Sequence, residues 1–264
     1  MLAAHGLSLQ RGGVRVLEGV SADLARATIT AIVGPNGAGK SSLLLGLAGL
    51  LAPEEGRVVL EGCDLADLSA RERARALGYL PQGADIAWDV SVGTLVALGR
   101  MPHGDARGRG HEAIERAITA LSLEDLRHRP ASRLSGGERA RALLARVLAG
   151  EPHWILADEP LAALDLAHQL ALIRHLRACA EGGQGVVVVL HDLALAMNHA
   201  DRVLVLDGGR LVAAGAPEQA LAPDRIAAVW GIEARWLGGP GARALTARTA
   251  QAGAGGAGVS QISK

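Results

Sequence analysis

Gly34-Pro-Asn-Gly-Ala-Gly-Lys-Ser41 decides the reading of this chain, and its flanks matter as much as its glycines. Thr28-Ile-Thr-Ala-Ile-Val33 before it is a short β-branched, apolar run that reads as a buried strand. Ser41-Ser-Leu-Leu-Leu-Gly-Leu-Ala-Gly-Leu50 after it is leucine-rich and long enough for a helix. Strand, glycine turn, helix is the context in which a Gly-x-x-x-x-Gly-Lys-Ser string becomes a phosphate site. Gly34, Gly37 and Gly39 let backbone N–H groups converge without Cβ clashes, and the helix N-terminus adds positive partial charge. Lys40 reaches terminal phosphates and the Ser41 hydroxyl is placed for Mg²⁺. The alternative is a glycine-rich turn in a chain with 35 glycines, but it leaves the flanks unexplained. The stretch implies a nucleoside triphosphate.

With 264 residues the chain can bury a real core as one large or two small domains. Lys+Arg and Asp+Glu both number 27, so the basic excess that drives binding to nucleic acid is missing. No Phe and one Tyr make base-stacking platforms scarce as well. Cys63 and Cys179 stand far apart, outside any metal or redox spacing, and read as reduced thiols. Met1-Leu-Ala-Ala-His-Gly lacks the charged start and long apolar run of a secretory signal. The apolar stretches near Leu43 to Ala52 and Val186 to Leu190 are too short to span a bilayer, so any membrane role runs through a partner.

Weak alternation in residues 2–25 suits short antiparallel strands ahead of the phosphate-loop strand. Gly56-Arg-Val-Val-Leu60 is a further strand, and Ser69 caps a polar helix over Ala70 to Ala76 before the strand Leu77-Gly-Tyr-Leu80. Pro81-Gln82 then falls at a strand end, facing the crevice where ligands of open α/β sheets bind. From about residue 91 to 150 the pattern turns helical, with Ala113, Ile114, Ala117, Ile118 and Leu121 on one apolar face. His103-Gly-Asp-Ala-Arg-Gly-Arg-Gly110 reads as a flexible polar loop inside this helical insertion. Strands resume at Trp154 to Ala157, Val186 to Leu190 and Val203 to Leu206, and Gly208-Gly209 turns a closing hairpin. One or two small helices are expected over residues 217–237, and a mostly disordered Gly/Ala-rich tail over 238–264.

Trp154-Ile-Leu-Ala-Asp158-Glu159 is an apolar strand that ends in two acids. Beside a phosphate loop, the first carboxylate is placed to hold Mg²⁺ opposite Ser41 and the second to orient or deprotonate an attacking water. Leu134-Ser-Gly-Gly-Glu138 opens the helix over residues 139–149, which makes a second anion site at a helix N-terminus. Two phosphate-binding devices in one chain suggest that two chains share nucleotide. His191 follows a buried strand directly and can donate to a γ-phosphate. His168, His175 and His199 sit on helices and read as surface or packing residues.

Gly34 to Ser41, Gln82, Leu134 to Glu138, Trp154 to Glu159, Leu164-Asp165 and His191, in that order, resemble the nucleotide-binding subunit of an ABC transporter. The resemblance covers residues 2–237. It implies an α/β, P-loop (RecA-like) core over 1–86 and 151–237, with an antiparallel β subdomain and a helical subdomain inserted at 87–150. It also implies ATP and Mg²⁺, with Gly34, Pro35, Asn36, Gly37, Ala38, Gly39, Lys40, Ser41 and Ser42 around the phosphates. Gln82 then senses Mg²⁺ and the permease, Asp158 supports the metal, Glu159 is the catalytic base and His191 contacts the γ-phosphate. Ser135 and Gly137 close over ATP on the opposite subunit, and Asp165 lies in a loop that communicates across the homodimer. ATP-driven dimerisation and hydrolysis-driven opening power transport in such a system, through a switch held by the γ-phosphate.

Two positions depart from the pattern. Arg11 precedes Gly12 where the family usually carries an aromatic residue on adenine; a guanidinium can also stack on a base. Ala162 stands where Ser is common in the Asp165 loop. Neither touches metal or base, so an active ATPase is expected. A nucleotide-binding domain without transmembrane helices indicates separately encoded subunits, as in bacterial importers. The implied location is the cytoplasmic face of the inner membrane, on a permease dimer served by a periplasmic or surface substrate-binding protein. Ile86 to Pro102 and Leu164-Asp-Leu-Ala-His-Gln169 resemble importers of iron-siderophores, haem and cobalamin, with a ferric-siderophore the first expectation for cargo. The alternative is a soluble ABC ATPase of iron–sulfur cluster assembly. Chromosome-maintenance ATPases need long heptad insertions that are missing here.

Overall fold

The structure is a computed structural model that describes residues 1–83, 89–104, 110–162 and 164–249. Two long strands come first, β1 (Leu2–Arg11) and β2 (Val14–Leu24), followed by β3 (Ile29–Val33) and, after the glycine loop, α1 (Lys40–Leu47). Next are β4 (Glu55–Leu60), β5 (Cys63–Asp64), α2 (Ala70–Ala76) and β6 (Leu77–Leu80). The helical insertion holds α3 (Val92–Ala97), α4 (His111–Ala120) and α5 (Gly136–Ala149). After it run β7 (Trp154–Ala157), α6 (Leu166–Glu181), β8 (Gly185–Val189), α7 (Leu193–His199), β9 (Arg202–Asp207) and β10 (Arg210–Gly215). The chain closes with α8 (Pro217–Ala220), α9 (Pro223–Trp230), β11 (Ile232–Leu237) and β12 (Ala244–Thr249).

One sheet has the order β10-β9-β3-β8-β7-β6, with β9, β3, β8, β7 and β6 mutually parallel and β10 antiparallel at the edge. A second, antiparallel sheet has the order β2-β1-β4-β5. The parallel strands are buried on both faces, and successive residues feed opposite cores. Ala31, Val33, Ile155 and Ala157 join the core under α6 and the helical insertion. Ile32, Trp154 and Leu156 join the core shared by α1 and the antiparallel sheet.

Local chemistry sets one helix start and ties the insertion together. Ser69 caps α2 through a capping box with Glu72. In the insertion, the Arg100 guanidinium, 8% exposed, reaches Ala149 O at 3.0 Å and Glu151 at 2.7 Å, and Arg116 meets the same carboxylate at 2.6 Å. Those bonds pin α4 and the Arg100 segment to the end of α5.

The small helices expected over residues 217–237 are α8 and α9, with a strand after them that was not expected. The expected disordered tail needs correction, because the segment from 238 is structured as far as 249. Ile232-Glu-Ala-Arg-Trp-Leu237 alternates half-buried and exposed residues, a period of two that selects a strand. It pairs with β12 in register from Ile232↔Thr249 to Leu237↔Ala244. Asn198 on α7 anchors this hairpin, donating to Arg243 O and accepting from Arg243 N, both at 2.8 Å, while Trp236 Nε1 donates to Leu221 O. Residues 250–264, most of the polar loop at 103–110, and Ile86 to Trp88 of the importer-like segment lie outside the described residues.

Candidate functional site

The glycine loop leaves the C-terminal end of β3 and enters α1 with Gly39 as its N-cap residue, at φ 95°. A Cβ there would fall 2.6 Å from Val16 O, and one on Gly34 would strike the Leu206 carbonyl, so neither position accepts a side chain. Arg11, Val16, Asn36 to Ser42, Glu159 and His191 line a cavity of about 270 Å³. Lys40 is 5% exposed, and its ammonium donates to Gly34 O and Pro35 O, both at 2.9 Å. Burial pulls its pKa down, while Glu159 and Asp158 act in the opposite direction. A cation folded onto its own loop and partly stripped of water gains most from an incoming phosphate.

The Ser41 hydroxyl donates to Asp158 Oδ1 at 3.0 Å. Asp158 is 4% exposed, and desolvation raises its pKa against the opposing hydrogen bond from Ser41. Tyr79 on β6 also donates to this carboxylate. Burial first, and Asp158 second, push the Tyr79 phenol up to about 12, so it stays a neutral donor. Sequence reading passed over Tyr79; its placement on a strand next to β7, one residue before a strand end, is the signal that was available. Ser41 and Asp158 are hard oxygen donors, and a cation beside them would relieve the desolvated carboxylate. Among the described residues no group of three His, Cys, Asp or Glu forms a closed metal cage. That donor set fits Mg²⁺, which keeps water and phosphate oxygens in its shell rather than a protein cage.

Glu159 is the meeting point of three strand ends. Gln82, beyond β6, donates from Nε2 to Glu159 Oε2 at 2.6 Å, and His191, beyond β8, pairs its Nε2 with Glu159 Oε1 at 2.5 Å. The glutamate is 12% exposed in its side chain and has φ 48°, a left-handed conformation that costs a non-glycine residue about 1 kcal/mol or more. Two side-chain partners and a strained backbone fix this carboxylate where the phosphate cavity ends. Gln82 and Glu159 also border a second cavity, of about 380 Å³, closed by Gly136, Arg139 and Leu164.

Ser135, Gly137 and Asp165 do not line the phosphate cavity of their own chain. Ser135 caps α5 in a capping box with Glu138. Asp165 caps α6, accepting from His168 N at 2.9 Å. Ser135 and Asp165 are exposed at helix N-termini, and Gly137 is buried in the first turn of α5.

A phosphate loop, a Ser–Asp oxygen pair and a braced carboxylate at adjacent strand ends define an ATP-hydrolysing subunit. The family model described as ABC transporter matches residues 17–162, and the chain belongs to that family. Among its relatives is a hemin import ATP-binding protein of Pseudomonas fluorescens, 45% identical over 238 residues that cover 88% of this chain and 93% of the relative. Another, from Rhizobium meliloti, is 40% identical and covers 89% of this chain and 93% of the relative. Among solved structures, an inward-facing metal-chelate type ABC transporter matches with TM-score 0.80 and 25% identity, covering 95% of this chain and 98% of that one. A dimeric ATP-binding cassette with ADP and Pi in a post-hydrolysis state matches with TM-score 0.72 and 27% identity, covering 82% and 99%. Fold class and ATPase activity agree with the expectation from sequence.

Proposed function

We propose that this chain powers a bacterial haem importer, as a homodimer with two ATP at its interface beneath a membrane permease. The observation that carries the reading is the extent of the likeness to proteins named for hemin import, which runs through catalytic and helical segments alike. It moves haem ahead of the ferric-siderophore in the order of cargoes, with cobalamin behind both. The iron–sulfur alternative has no support among the relatives compared. No helix among the described residues is long and apolar enough to cross a membrane. Attachment would therefore run through the permease, at the cytoplasmic face of the inner membrane, with a substrate-binding protein on the far side.

In this reading the loop from Gly34 to Ser42 binds the phosphates, with Lys40 turning from its own carbonyls to the terminal ones. Ser41 and Asp158, with Gln82 beside them, would hold Mg²⁺, which when bound neutralises charge on the phosphates. Glu159 takes a proton from the attacking water, and His191 donates to the γ-phosphate. Entry of ATP thus exchanges the resting Glu159–His191 pair for a His191–phosphate contact, freeing one carboxylate oxygen as the substrate arrives. Ser135 and Gly137 face the partner's nucleotide.

Recovery of the tagged chain with a multi-helix permease from its native host, followed by reconstitution in vesicles, tests this. Haem-loaded binding protein should stimulate ATP hydrolysis where ferric-siderophore and cobalamin do not. Recovery with soluble assembly proteins only would favour the iron–sulfur alternative.

Arg11 lines the phosphate cavity from the end of β1. A guanidinium stacked on a base contributes about 1 kcal/mol, roughly fivefold in affinity. Arg11→Ala should raise the KM for ATP by about that factor with kcat kept, and Arg11→Tyr should restore it. Phosphate-release kinetics at varied ATP read both.

A further inference from the structure

His168 was expected to be a surface or packing residue on a helix, and the structure gives it two contacts that join separate parts of the chain. Its Nδ1 lies 2.7 Å from Asp165 Oδ1, which also accepts from the His168 backbone N–H. Its ring covers Gly137, which is buried in the first turn of α5. A Cβ on Gly137 would land on the ring, with Nε2 at 2.5 Å and Cγ at 2.6 Å from it. The imidazole is therefore wedged between the Asp165 loop, which belongs to the core, and the N-terminus of α5, which belongs to the helical insertion.

The loop itself leads back to the carboxylate at the phosphate cavity. Ala162 N donates to Glu159 O at 3.1 Å, Leu164 N to Leu161 O at 3.3 Å, and Gln169 Nε2, in the first turn of α6, to Leu161 O at 3.3 Å. Short bonds thus tie the segment after Glu159 to α6 at the point where His168 projects. Ser135 and Gly136 are exposed beside Gly137, and in the shared-site reading this turn meets the partner's nucleotide.

We propose that His168 is a positioning residue that couples the Asp165 loop to the α5 N-terminus within one subunit. A shift at Glu159 in one site is then passed to the Ser135–Gly137 turn that serves the other. This rests on the shared-site reading above. His168 touches no reacting atom; it acts by holding Asp165 with one ring nitrogen and Gly137 with one ring face. Gly137 must be glycine on this account for the ring as well as for the phosphate.

The test is a double-mutant cycle on the purified chain with His168→Ala, Gly137→Ala and the pair, read as kcat and KM for MgATP hydrolysis, with thermal melting as a control. His168→Ala should lower kcat by about tenfold, leave MgATP binding to the monomer unchanged and leave melting unchanged, because the side chain is 44% exposed. His168→Asn, which keeps a donor near Asp165, should recover part of the loss. Gly137→Ala and His168→Ala break the same contact, so the pair should be no worse than the more damaging single variant. Wild-type kcat in His168→Ala, or fully additive losses in the pair, overturns the proposal while the ATPase reading stands. A wild-type chain that hydrolyses MgATP neither alone nor with its permease overturns both.

Discussion

Lys40→Ala is expected to reduce ATP hydrolysis by about 10³-fold, the upper end for loss of a single charge-stabilising donor. Its ammonium is the only cation the glycine loop itself carries, and it is already partly desolvated, so its attraction for phosphate is not diluted by water. MgATP binding should weaken with it, because a ground-state phosphate meets the same group. The fold should survive. Lys40 itself lines the phosphate cavity, so water entering by that route can take the place of its ammonium at Gly34 O and Pro35 O. Lys40→Arg should fail nearly as badly, since a planar guanidinium cannot fold back into a position 5% exposed between two loop carbonyls. Turnover, nucleotide binding and melting together decide the case. Unchanged turnover in Lys40→Ala would place the phosphate site elsewhere.

Much of the candidate site's arrangement was legible in the sequence, because its parts are local. A glycine loop between strand and helix, a Ser cap three residues before a Glu, and acids at a strand end each depend on neighbours in the chain. Ser69 with Glu72 and Ser135 with Glu138 form capping boxes as their spacing requires. What local pattern does not contain is strand order. Gln82, Glu159 and His191 meet because β6, β7 and β8 are adjacent and parallel, so the residues just beyond their C-terminal ends share one edge of the sheet. The contact of Tyr79 with Asp158 follows from the same adjacency, as Tyr79 is in register with Leu156 two residues earlier. The terminal hairpin was missed for another reason. Its Gly- and Ala-rich surroundings look incapable of forming a core, yet β11 and β12 need only one face covered, and Asn198 and Leu221 cover or anchor it from outside the segment.

Glu159→Gln should lower turnover by about 10³-fold, within the range for loss of a general base, while MgATP binding is retained. The substitution keeps shape and reach, and an amide at φ 48° is strained as much as a carboxylate, so the bonds from Ala162 N to Glu159 O and from Leu164 N to Leu161 O are kept. The two partners also survive it. Gln82 Nε2 can donate to the new amide oxygen, and the new amide nitrogen can donate to Nε2 of a neutral His191 carrying its proton on Nδ1. What changes is charge. The carboxylate repels an incoming γ-phosphate at the end of the cavity, and the amide does not, so the ATP-bound state gains while hydrolysis, which would release it, stalls. The expected product is a stable dimer with two ATP, formed only with ATP present, seen as a doubled mass by light scattering and lost on removal of nucleotide. Lys40→Ala added to Glu159→Gln should abolish that dimer, because the trap requires bound phosphate. A Glu159→Gln chain that binds MgATP and remains monomeric would remove the argument that Ser135 and Gly137 act on the partner's nucleotide. It would leave the phosphate loop, with Lys40 and Ser41, as argued.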